Sequence, residues 1–169
     1  MEEVKYIPGD LVMTNGIPIG TKKGIVYQVT ESNADKYAKI KDGNAFTELK
    51  GSVTLANLKG KTIHDDGFLF CDSGAWVKDI VPIPLTSEIL EKNGWSREDG
   101  AFGVSPDFKK IIDNPARKKG YITYLSVYPF FDNDGFSFFY NNQKLATIHH
   151  VHELQHILFG LSINHEMEV

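Results

Sequence analysis

Hydrophobic positions along this chain follow two rhythms. Over residues 1–81 they fall in short runs of branched and aromatic side chains, broken by Gly, Asn, Asp and Pro. Leu11-Val12-Met13 follows Pro8-Gly9-Asp10, and Gly24-Ile25-Val26-Tyr27-Gln28-Val29-Thr30 comes after a turn signal at Asn15-Gly16. Further short strands are expected at 37–40, 52–55, 62–63, 67–71 and 75–77. Close spacing of this kind points to a small barrel or sandwich. The second rhythm is helical: Val151, Leu154, Ile157, Leu158 and Leu161 gather on one side of a helix over 148–161.

The boundary falls at Val81-Pro82-Ile83-Pro84, which fits neither a helix nor a central strand. It divides the chain into a β-rich part over 1–81 and an α+β part over 82–169. A short helix should follow the prolines. Thr86 is its N-cap, Ile89 and Leu90 its apolar edge, and Gly94 its left-handed stop, with Trp95 folding back on Leu90. Residues 99–119, with Pro106 and Pro115, read as irregular. Two strands, 121–130 and 136–140, are then expected around a turn at Asp132-Asn133-Asp134-Gly135. Asp and Asn at such a turn need no calcium, and the acidic spacing of an EF-hand is missing. The aromatics from Tyr121 to Tyr140 suit cross-strand packing under a helix, or a platform on which bases or sugars stack. Residues 162–169 suggest a short last strand.

The helix carries one chemical motif, His152-Glu153-Leu154-Gln155-His156. In HExxH, two histidines four residues apart grip zinc and the glutamate acts as general base on a bound water. A hydrolytic site needs a third ligand, for which His165, Glu166, Glu168, His64 and His149 are the candidates. The HExxHxxGxxH spacing fails, because Phe159 stands at the glycine position and Ser162 at the third histidine. A ligand glutamate on a later helix, as in the other large zincin group, has no room before Val169. The favoured expectation is that His152 and His156 are exposed helix histidines with no catalytic residue or cofactor. Catalytic Glu153 with zinc on His152, His156 and His165 is the alternative, and adventitious binding of zinc or nickel by His149, His152 and His156 is a third possibility.

Composition removes some classes. Hydrophobic residues are 41% and charged residues 24%, ordinary for a folded domain. A net charge of -4 supplies no general field for a phosphate backbone, so nucleic-acid binding needs a local patch. Lys109, Lys110, Arg117, Lys118 and Lys119 are the best candidates. The single cysteine, Cys71, sits in an apolar run and suits a buried thiol in a reducing compartment. MEEVKYIPGD has no basic region leading into an apolar run, and no long apolar segment occurs. A cytoplasmic protein that does not enter a membrane is the expectation.

Two resemblances add to this. The Pro-Gly-Asp-Leu-Val entry and the Gly-Ile-Val-Tyr-Gln-Val strand resemble the opening of SH3-like barrels. The segment from Pro82 to Trp95, followed by Val151-His152-Glu153-Leu154-Gln155-His156, resembles a family of small proteins from phages, prophages and mobile elements of Bacteroides-type bacteria. Their pattern is an IPLT-x-E-x-L-x-x-x-G helix, a few strands and a closing H-x-L-Q-x helix. That resemblance implies constant positions at Leu154 and Gln155 and freely filled ones at Glu153 and His156. It brings no reaction or cofactor, and implies a role inside the host cell or on the virion as accessory, effector or regulator. The expected fold is α+β, a small SH3-like barrel followed by antiparallel strands packed by a C-terminal helix. The expected function is a non-enzymatic interaction module whose partner is a host or phage protein, with a zinc hydrolase or a nucleic-acid-binding module as alternatives.

Overall fold

A computed structural model describes residues 6–58, 64, 68–69, 73–99, 106–113, 122–130 and 135–169. The chain is α+β, with two antiparallel sheets and a C-terminal helix. It separates into two compact units, Met1–Ile83 and Pro84–Val169. The expected strands at 62–63 and most of 67–71, Cys71, the turn residues 132–134 and the basic run 117–119 lie outside the described residues.

In the first unit, strands β1 (Leu11–Thr14), β2 (Val26–Asp42), β3 (Ala45–Asn57), β4 (Ser73–Trp76) and β5 (Ile80–Pro82) form one sheet in the order β4-β3-β2-β1-β5. A single 3-10 turn, Val77–Asp79, precedes β5. The core gathers Val12, Tyr27, Val29, Val53, Leu55, Ala75 and Ile80. The strands expected at 24–30 and 37–40 are one strand in the fold. The turn-like Ser32-Asn33-Ala34-Asp35 is a bulge within β2, where the Asp35 amide donates to Asn33 Oδ1 at 3.1 Å. That side chain satisfies the backbone locally, so pairing resumes beyond it. The outer part of the β2–β3 hairpin, from Tyr37↔Lys50 to Asp42↔Ala45, pairs with no third strand among the described residues.

The second unit opens with α1 (Ser87–Lys92), capped by Thr86, whose hydroxyl accepts from the Ile89 amide at 3.3 Å. Gly94 takes φ +78, which a residue without Cβ adopts freely, and the Trp95 amide donates back to the Leu90 carbonyl at 3.1 Å. Leu90 and Trp95 are both buried, as the sequence pattern predicts.

Strands β6 (Ser96–Glu98), β7 (Asp107–Asp113), β8 (Ile122–Pro129), β9 (Phe136–Tyr140) and β10 (Gln143–Ile148) make the second sheet in sequence order. Three features depart from the expectation. The 99–119 region contains β7, whose Phe108 is wholly buried and pairs with Val127. Strand β10 precedes the helix, joined to β9 by a two-residue turn in which Asn141 and Asn142 take φ 46° and 65°. Residues 162–169 form no strand: Asn93 grips Glu168 through both amide atoms, at 2.7 and 2.9 Å, and Lys92 Nζ donates to the Val169 carbonyl at 3.0 Å.

Cross-strand pairing sorts the side chains of this sheet between its faces. Phe108, Val127 and Phe138 share one face, as do Leu125 on β8 and Phe136 and Ile148 at the far end. All are buried, and Trp95 meets Phe138 edge to face at 6.3 Å. The other face carries Lys109, Ser126, Phe139 and Lys144 in one transverse row, with Tyr124 and Tyr128 on either side of Ser126.

Candidate functional site

Helix α2 (Val151–Gly160) holds the HExxH segment. Its backbone begins after His150, and Glu153 stands at the third helical position, where a carboxylate can reach back to the free amides of the first turn. It does so. Glu153 Oε2 accepts from the His149 amide at 2.6 Å and the His150 amide at 3.0 Å, while Oε1 lies 3.4 Å from His150 Nδ1. The carboxylate thus closes a capping box, with its negative charge at the positive end of the helix dipole.

Burial pushes the Glu153 carboxyl up, but the amide hydrogens of His149 and His150, helped by the His150 ring, outweigh it and hold the group below its ordinary value of 4.5. A group whose folded-state pKa is depressed stabilises fully above the unfolded value and loses that stabilisation as pH falls through the folded value. Glu153→Gln should therefore flatten the fall in melting temperature below about pH 5, measured by circular dichroism against the parent. An unchanged acid limb would show that this carboxylate contributes nothing there.

The histidines depart from the expectation. His152 was expected on the exposed side, yet it is 3% exposed, and its ring stacks on His150 at 5.6 Å. His156, half-buried, meets His152 edge to face at 5.7 Å. The cause is a rotation of the buried arc. Val151, His152, Leu154, Gln155 and Leu158 are the buried positions, an arc centred near Gln155, while Ile157 and Leu161 at the edge of the sequence stripe are only half-buried. The C-terminal segment is tied to this polar flank, because buried Gln155 donates Nε2 to the His165 carbonyl at 3.2 Å. The Gln155 side chain thus bonds the backbone of the tail.

His165 is fixed by the same link, and its ring packs edge to face on Phe159 at 5.1 Å. The helix and tail thus gather His150, His152 and His156 into one ladder and place the His165 ring against Phe159. Among the described residues, no three His, Cys, Asp or Glu side chains form a group that could hold a metal ion.

The basic candidates also separate. Lys110 lies on the buried side of the sheet, donates to the Asn93 carbonyl at 2.8 Å and sits 5.9 Å above the Trp95 ring. Burial lowers its pKa, and its role is to close the last turn of α1. Lys109 lies on the opposite face, paired with Glu98. There an open hollow of about 700 Å³ is lined by Lys109, Tyr124, Ser126, Tyr128 and Asn142 among others. Period-two alternation through Tyr124, Ser126, Tyr128 and Phe130 was the available signal for this surface; grouping all the aromatics as one cluster concealed it.

No helix among the described residues is long and apolar enough to cross a membrane. Compared with known proteins, the chain matches no family model, no curated protein and no solved structure. The fold and site define an α+β protein whose HExxH segment builds a helix cap.

Proposed function

We propose that the chain is a non-enzymatic interaction module of the phage and prophage kind, acting inside the host cell. The observation that carries this reading is the occupation of Glu153: both carboxylate oxygens face the amides and ring at the start of α2. A zinc hydrolase needs that carboxylate beside a metal-bound water, and the capping box gives it other work.

Two features support binding as the function. The outer β2–β3 ribbon exposes Tyr37, Ile40 and Phe46 with no third strand beside it among the described residues, a surface suited to a protein partner. The strand order β4-β3-β2-β1-β5, with a 3-10 turn before β5, supports the finer reading of the first unit as an SH3-like barrel, a fold that serves binding in many proteins.

The test is the metal content of tag-free protein purified without chelator, beside a His152→Ala/His156→Ala double variant. This reading expects sub-stoichiometric zinc in both. One equivalent in the parent and none in the double variant would overturn it in favour of a metallohydrolase.

A further inference from the structure

The second sheet has one packed face and one open face, and the open face has an ordered layout. Its central row, read across β7, β8, β9 and β10, is Lys109, Ser126, Phe139 and Lys144. Rings therefore lie between two cations. Tyr124 and Tyr128 stand four residues apart on β8, about 13 Å at the usual strand rise. Tyr128 meets Phe139 edge to face at 5.0 Å, and Lys144 lies 5.8 Å over Phe130. Tyr124 is 47% exposed. Between the rings are the small side chains of Ser126 and Ser137, and Tyr128 and Phe139 are half-buried beside the exposed Tyr124.

The geometry points to a single strand of nucleic acid as the occupant of this face, its bases stacked on Tyr124, Tyr128 and Phe139 and its phosphates against Lys109 and Lys144. Stacking asks for uncovered rings at intervals along a flat surface, and phosphates ask for cations at its margins. A neutral sugar would use the rings but not the lysines. Lys109 is held by Glu98 in an exposed pair, which costs little to exchange for a phosphate. Of the expected basic pair Lys109-Lys110, Lys110 also borders the hollow, but its Nζ is committed to the Asn93 carbonyl, so Lys109 is the member that meets a phosphate. This inference rests on reading the chain as a binding protein.

The test uses the full chain and fluorescein-labelled oligomers of thymidine and uridine, about twelve nucleotides long, followed by anisotropy at low salt. Single-strand binding is expected, falling steeply as salt rises. Tyr124→Ala and Tyr128→Ala should each weaken it roughly tenfold. Tyr124→Ala should leave the melting temperature unchanged, which separates lost stacking from lost folding. Lys144→Ala should weaken binding and reduce the salt slope by about 0.7. Glu98→Gln should tighten binding a few-fold by releasing Lys109. Absence of binding at low salt, or binding that both tyrosine variants leave intact, overturns the inference. Such a failure with sub-stoichiometric zinc in the parent leaves the interaction module standing, with a protein as the partner to seek, whereas stoichiometric zinc lost with His152 and His156 removes both.

Discussion

Leu154→Ala is expected to lower the free energy of unfolding by about 2–5 kcal/mol, and His156→Ala by no more than about 1 kcal/mol. Leu154 is wholly buried on α2, so truncation loses its transfer energy and leaves a cavity that its surroundings cannot fill without moving. His156 is half-buried, with its ring edge on His152, and its loss removes one ring contact. Urea unfolding followed by circular dichroism measures both, provided the slope of the transition stays constant. Equal and large losses would mean that His156 is held by something stronger than packing, as a ligand histidine would be.

The second large effect is at Gly135, which takes φ +117 before β9 and offers its carbonyl to the Phe130 amide at 3.0 Å. A Cβ there would lie 2.6 Å from His149 Nδ1 and 2.9 Å from the Ile148 carbonyl oxygen. Gly135→Ala thus combines a backbone conformation that L residues avoid with a collision against backbone, and about 2–4 kcal/mol should be lost. Gly160 provides the opposite sign. It lies in the last turn of α2, and a Cβ there would meet nothing within 4 Å. Gly160→Ala should stabilise by about 0.5–1 kcal/mol. Thermal unfolding of the two variants should therefore shift in opposite directions, and a shared sign would refute the account of the β9 entry.

Much of the α+β character was legible because it rests on local chemistry. Thr86, Gly94 and Trp95 announce α1 through its ends, and the 136–140 strand and the final helix follow from the spacing of apolar residues. What stayed hidden depended on partners far along the chain. Strand β7 is written Asp-Phe-Lys-Lys-Ile-Ile-Asp, and its lysines disguise a strand that packs Phe108 inward and caps α1 with Lys110. The 162–169 segment looks strand-like, yet Asn93 and Gln155 satisfy backbone groups along it. Asn141-Asn142 was a hairpin signal available in the sequence, and reading it would have revealed β10.

The HExxH segment shows the same limit at the candidate site. Spacing alone allowed a zinc grip or a solvated face, because each needs only histidines one turn apart. The fold adds the start of the helix at Val151, which puts Glu153 at the capping position, and the path of the tail, to which Gln155 is tied, with burial falling on His152 and Gln155. Neither the register of the helix start nor the path of the tail can be read from a five-residue motif.

The most direct test of the central claim compares the unfolding of parent, Glu153→Ala and Glu153→Gln at neutral pH, with and without a zinc chelator. A structural cap predicts that Glu153→Ala loses about 1–2 kcal/mol, that Glu153→Gln keeps most of the stability because an amide can still accept from the first-turn amides, and that chelator changes nothing. A melting temperature that falls on chelation in the parent, with both glutamate variants as stable as the parent, would contradict it and return the segment to metal chemistry.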